Sequence, residues 1–288
     1  MNNDIKFAIL GAITGDVLGV PYEFKKRNSF NCVDLIEGGV WQQPLGSWSD
    51  DSSMILALID SIIEKKQIDY NDIMYRFGLW FYQNWYTPFG TCFDSGETCT
   101  RAIEKFYNKT SYDKCGGTDI MSNGNGALMR IIPMAFLNVS DDVIKQVAGL
   151  THNHEISHSC CLTYVNIAKG LIKDKNFDKT DKFKHLILQN INIRDITKLT
   201  RDEIKSSGYV VDTLEAALWC LYNTNNFEEC VLTAVNLGKD TDTVGCVVGG
   251  LAGIKYQSIP QKWLDKIPLS YPNKLIEQFI TTIEENNL

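Results

Sequence analysis

The chain has 288 residues, 44% of them hydrophobic and 22% charged, and carries a net charge of −7. This is the composition of a soluble globular protein with ample material for a core, and its acidic balance argues against a nucleic-acid-binding surface, which needs a basic patch. Nine cysteines without a CxxC pair, and an N-terminus lacking a basic stretch and apolar signal core, point to reduced thiols in a cytoplasmic protein.

Helical periodicity dominates from the start. Residues 5–20 are apolar on nearly every side, which suits a buried helix broken by Gly19 and Pro21. An irregular stretch rich in Gly and Trp follows over 28–48. Residues 50–65 give the clearest amphipathic helix, with Met54, Ile55, Leu58, Ile59, Ile62 and Ile63 on one stripe and Lys65 and Lys66 at the C-terminal end. Its start, Ser49-Asp50-Asp51-Ser52, is rich in capping residues. The spacing predicts further helices over 70–84, 95–107, 155–173, 212–222 and 227–237. Residues 174–206 are polar and lysine-rich, an exposed helical or loop excursion. Gly245, Gly249 and Gly253 then recur every four residues, so one helix face lacks side chains and admits a close neighbour. The run 244–254 around them is too short to cross a bilayer. Sustained period-two alternation is scarce. The expectation is one all-α domain.

Two acidic clusters carry the chemistry. Asp240-Thr241-Asp242-Thr243 stands at the mouth of the glycine-striped segment, and carboxylates this close repel unless a cation, a proton or N–H donors compensate. Either cluster alone reads equally as a helix cap. Together, if the two helix starts face each other, they gather four carboxylates and hydroxyls, a hard oxygen set for Mg²⁺, Mn²⁺ or Ca²⁺. Asp240 to Val244 also matches the DxDx(T/V) pattern of aspartyl phosphatases, although that motif follows a β-strand near the start of its chains.

Residues 121–127 (MSNGNGA) open the apolar segment 128–136, interrupted by Pro133. Glycines before a helix let backbone N–H groups approach phosphate, and a plain turn satisfies the same pattern. His152, His154 and His158 lie close together but lack the HExxH arrangement and a further ligand for zinc.

Taken in order, residues 11–23 (GAITGDVLGVPYE), 48–51 (WSDD), 93–98 (FDSGET), 122–130 (SNGNGALMR), Thr151-His152, 207–219 (SGYVVDTLEAALW) and 238–243 (GKDTDT) resemble the ADP-ribosylglycohydrolase family over almost the whole chain. The resemblance implies an all-α, single-domain orthogonal helical bundle with a central metal-lined cleft. Its two divalent cations, Mg²⁺ or Mn²⁺, would be held by Ser49, Asp50, Asp51, Asp240, Asp242 and Thr243. It implies proton transfer at Asp94 or Glu23, with Asp51 beside them in the catalytic set. Gly96, Ser122, Asn123, Gly124, Asn125, Gly126 and His152 would bind the diphosphate and distal ribose, and Tyr209 would stack on adenine. Two departures stand out. Ser49 and Ser52 replace threonines common in relatives, and Lys239 precedes the second acidic pair, where it could shift metal affinity or contact a phosphate.

The expected activity is metal-dependent hydrolysis of the C1″ glycosidic bond of ADP-ribose on a protein side chain. Asp94 favours arginine as that side chain, because a carboxylate pairs bidentately with guanidinium. Expected partners are ADP-ribosylated proteins or ADP-ribosyl small molecules, with neither nucleic acid nor membrane, and the protein itself is expected to be a monomer. The rivals are a non-catalytic ADP-ribose-binding module and the phosphatase.

Overall fold

In the computed structural model, which describes residues 1–189 and 193–288, the periodic segments fold as helices. In chain order they are α1 (Asn2–Gly19), α2 (Asp50–Lys65), α3 (Tyr70–Gln83), α4 (Glu97–Tyr107), α5 (Asp141–Gly149), α6 (Glu155–Lys173), α7 (Asp181–Gln189), α8 (Val210–Asn223), α9 (Phe227–Val235), α10 (Thr241–Tyr256), α11 (Gln261–Leu264) and α12 (Ser270–Asn286). No strand occurs among the described residues, only isolated bridges between loops. One contiguous hydrophobic cluster runs through the elements.

The centre is the antiparallel pair α1 and α10, joined backbone to backbone. A Cβ on Gly15 would lie 1.9 Å from the Gly245 carbonyl oxygen, and one on Gly249 would lie 2.0 Å from that of Gly11. Both helices therefore carry a bare stripe, Gly11, Gly15 and Gly19 answering Gly245, Gly249 and Gly253. At the end of the seam, a Cβ on Gly19 would lie 2.3 Å from the Asp242 Cα, and Thr241 Oγ1 donates to the Gly19 carbonyl at 2.7 Å. Close approach thus fixes the first turn of α10 against the last turn of α1.

Together with the 3-10 turn Val20–Tyr22, α1 is long and apolar enough to cross a membrane, with mean hydropathy 1.3, yet 89% of that stretch is buried within the protein. It is the core helix of the bundle.

Helix α2 has the bounds its periodicity predicts. Ser49 caps it, accepting the Asp51 N–H at 3.3 Å, and Lys66 ends it in a left-handed conformation at φ 55°. Met54, Ile55, Leu58, Ile59 and Ile62 are fully buried, each contributing about 1.5–3 kcal/mol.

Two segments differ from expectation. Residues 126–130 form turns and Ile132–Phe136 a 3-10 helix with Pro133 in its first turn; proline removes an N–H donor, and no α-helix opens behind the 122–126 loop. The 174–206 excursion is anchored as well as exposed, since Phe183, Ile187, Ile193, Ile196 and Ile204 are buried; residues 190–192 lie outside the described residues. The phosphatase alternative fails, because the segment before Asp240 is helix α9 where that reading needs a strand.

Candidate active site

A cleft of about 240 Å³ opens where the starts of α2, α4 and α10 meet the loops at 122–126 and 206–209. Glu23, Asp50, Asp94, Gly96, Gly124, Asn125, Gly126, His152, Asp240 and Thr243, all anticipated from the sequence, line it. Asp51 and Asp242 lie beneath, both fully buried.

The carboxylates form two groups that share one residue. Asp16, Asp51 and Asp242 each present an oxygen within 4.8 Å of the others, and so do Glu23, Asp94 and Asp242. Both oxygens of Asp51 and Oδ2 of Asp242 are buried without a hydrogen-bond partner. Orphaned carboxylate oxygens in a dry site cost several kcal/mol unless a cation or proton joins them. Among the described residues, no lysine or arginine forms an ion pair with this cluster. A set made only of hard oxygen donors fits a divalent cation such as Mg²⁺ or Mn²⁺.

Asp16 was not legible as part of the site. Its carboxylate accepts the backbone N–H of Ser49 at 3.0 Å and of Ser52 at 3.0 Å, and the Ser52 hydroxyl at 2.6 Å. It therefore anchors the start of α2 from α1 and holds Asp51 toward Asp242. Its signal in the sequence was an acid inside an otherwise apolar helix, a placement rare without a partner.

The protonation state follows from burial and crowding. Burial, then the charge of Asp94, pushes Glu23 up to about 8. Burial raises Asp94 to about 6 and Asp16 to about 6. Asp50, Asp51 and Asp242 stand well above the usual carboxylate range, again through burial first and neighbouring carboxylates second.

The opposite wall is neutral. Asn125 Nδ2 donates to Asp240 Oδ2 at 2.8 Å and to Thr213 Oγ1 at 2.9 Å. His152 lies against Thr151 Oγ1 at 2.8 Å, and burial together with Arg130 drives its pKa down to about 3. Gly126 is required here, since a Cβ would stand 2.9 Å from the His152 ring. Arg130, fully buried, donates to the Gly126 carbonyl and holds the loop from below.

Other anticipated residues have local duties. The Ser49 hydroxyl caps α2. Ser122 donates to Asp119 at 2.9 Å. Asn123 accepts the Ser157 N–H at 3.2 Å and donates to the Ile120 carbonyl, so neither side chain lines the cleft. Tyr209 caps α8 on the rim, 38% exposed, with its backbone bridged to Gly124. Lys239 adopts φ 66° and bonds through its backbone to Lys25 and Phe24, leaving its side chain exposed. His154 caps α6 through Nδ1, and neither carboxylate group contains a histidine.

The ADP-ribosylglycohydrolase family model matches residues 2–286. The chain belongs to the ADP-ribosylglycohydrolase family. Among relatives, an ADP-ribosylarginine hydrolase Tri1 of Pseudomonas putida (strain GB-1) is 32% identical over 92% of this chain and 74% of its own. An ADP-ribosyl-[dinitrogen reductase] glycohydrolase of Rhodospirillum rubrum is 30% identical over 94% of this chain and 92% of its own. A solved structure described as an ADP-ribosylglycohydrolase-related protein complex superposes with TM-score 0.78 at 27% identity, covering 99% of this chain and 98% of that one. As a glycohydrolase of this family, the protein is an enzyme, and its acidic clusters form the metal-competent end of the cleft.

Proposed function

We propose that the protein hydrolyses the C1″ N-glycosidic bond of ADP-ribosyl-arginine on a protein substrate, using two divalent cations. The observation that carries this reading is the juxtaposition of Asp51 and Asp242, with orphaned oxygens, against Glu23 and Asp94 at one end of a cleft. The relatives named for ADP-ribosylarginine and dinitrogen-reductase hydrolysis support it.

Asp50, Asp51, Asp240, Asp242 and Thr243 would hold the cations. When bound, these supply Lewis-acid chemistry, orienting the ribose hydroxyls and acidifying water. The protein's own groups do the rest. Glu23, which lines the cleft, gives a proton to the departing guanidine nitrogen. That nitrogen takes the electron pair of the breaking C1″–N bond. Asp94, which lines the same cleft, takes a proton from the water whose oxygen bonds to C1″. Positive charge at C1″ between these steps is met by the surrounding carboxylates. Neutral His152 and Asn125 line the opposite wall, where the anionic diphosphate is not repelled. A cytoplasmic setting accords with nine free cysteines, eight of them buried.

The test is release of ADP-ribose from ADP-ribosyl-arginine with Mg²⁺ or Mn²⁺, followed by chromatography. Turnover that survives a chelator sinks the metal mechanism. Binding of ADP-ribose without turnover of any linkage returns the site to a binding module.

A further inference from the structure

We propose that Trp41 is the residue that selects a guanidinium-bearing leaving group, forming an aromatic face of its subsite while holding Glu23 in place. This inference rests on the arginine reading above. It begins with the irregular stretch over 28–48, which the mechanism leaves unused.

Residues 38–43 form a tight hairpin. Gly38 donates to the Gln43 carbonyl at 2.8 Å, and Gln43 donates back to Gly38 at 3.1 Å. Gln42 N–H closes the tip onto the Gly39 carbonyl at 3.2 Å. Gly39, at φ 74°, lies so close to Pro21 that a Cβ would stand 2.6 Å from its Cα. The hairpin is thereby pressed onto the turn Val20–Tyr22 that leads directly into Glu23. Positions 41 and 23 are coupled through rigid backbone.

The tip delivers Trp41, half-buried, to the carboxylates. Its indole N–H donates to Glu23 Oε2. Its ring lies 5.9 Å from that of Phe93, the residue before Asp94, and 6.3 Å from that of Phe24, the residue after Glu23. Phe24 is 63% exposed and lines the cleft. Each acid that handles a proton thus stands beside an aromatic ring, and Trp41 joins the two rings.

Two carboxylates flanked by aromatic faces suit one chemical class. A guanidinium is planar, weakly hydrated and delocalised, so it stacks on aromatic rings while its N–H edge pairs with carboxylates. An alkylammonium is compact and strongly hydrated, and gains less from the same walls. The indole N–H has a second effect: by holding Oε2 of Glu23 it fixes the carboxyl's orientation toward the departing nitrogen.

The test compares wild type, Trp41→Leu and Trp41→Phe with ADP-ribosyl-arginine as substrate and ADP-ribose as ligand. The Leu variant raises KM for ADP-ribosyl-arginine about tenfold, while ADP-ribose, which has no leaving group, binds within twofold of wild type by calorimetry. The Phe variant, which keeps a face but loses the N–H, restores KM to within about threefold and lowers kcat instead. An unchanged KM in the Leu variant, or a parallel loss of ADP-ribose binding, overturns the inference. A measurement on the unaltered protein guards against a Leu variant that does not fold: propylguanidine inhibits at least tenfold more tightly than propylamine, and equal inhibition overturns the proposal. A wild type inert toward ADP-ribosyl-arginine overturns the arginine reading itself, whereas an active wild type with an indifferent Trp41 overturns only this inference.

Discussion

Ser52 on α2 donates its hydroxyl to Asp16 on α1 at 2.6 Å, so the helix that carries Asp50 and Asp51 starts on a carboxylate supplied by another helix. Ser52→Ala removes one charge-assisted bond and leaves the two backbone donors, costing about 1–3 kcal/mol. Urea unfolding measures that loss. Asp16→Ala strips all three donors at once, leaving buried N–H groups unpaired. It should lose more stability than Ser52→Ala and abolish turnover as well.

Asp51→Asn and Asp242→Asn should separate stability from activity. Each removes a buried carboxylate with at least one oxygen that lacks a hydrogen-bond partner, so the metal-free protein should melt higher. Each also removes a donor of the acidic groups, Asp242 from both and Asp51 from one, and turnover should fall by about a hundredfold or more. Added Mg²⁺ should shift the melting temperature of wild type but not of either variant. A variant less stable than wild type in chelator contradicts the view that repulsion is stored there.

The pH dependence of metal-free stability has a definite sign. Glu23, Asp16 and Asp94 have folded pKa values raised to about 8, 6 and 6, above the unfolded carboxylate range near 4. The native state therefore binds more protons than the unfolded chain between these limits. The stability from those protons is fully present below about pH 4 and is lost as pH rises through 6 to 8. Melting in chelator from pH 4.5 to 8 should show a decline. The same series with Mg²⁺ should flatten, because the cation takes over from the proton.

Glycine substitutions should discriminate seam from cleft. Gly15→Ala places a Cβ 1.9 Å from the Gly245 carbonyl oxygen, which rigid backbone cannot relieve. A cost of about 3 kcal/mol or more is expected, with activity lost as Asp16 and Asp242 separate. Gly96→Ala meets nothing within 4 Å, so its melting temperature should hold. Any activity change in that variant then reports a contact with substrate.

Local rules made much of this molecule readable. The apolar stripe from Met54 to Ile62 and the capping residues before it gave the bounds of α2, since both signals are written within one helix. Asp50 and Asp240 could be brought together because paired acids need a common solution to their repulsion, whereas Asp94 was legible only through the family resemblance. The glycine stripe of α10 announced a close neighbour but could not say which, although Gly11, Gly15 and Gly19 repeat the same period. Asp16 was hidden because its partners, Ser49 and Ser52, arrive from a different helix. Ser122 and Asn123 show the converse: a motif marks a loop, but only the folded chain shows that their side chains tie to Asp119 and Ser157. Trp41 was invisible for the same reason, since the hairpin that brings it to Glu23 has no periodicity.

The glycine seam also bears on how the protein comes into being. Gly11 leaves the ribosome while nearly all of the chain, including Gly249, the backbone it packs against, is still unmade. An apolar helix must therefore wait through most of synthesis for its partner, a non-local pairing of the kind that slows folding and exposes chains to aggregation. The carboxylates of Asp16, Asp51 and Asp242 converge only when that late pairing closes. A chain that ends before Asp242 thus lacks the residue common to both acidic groups, and catalytic competence waits on the closing of this seam.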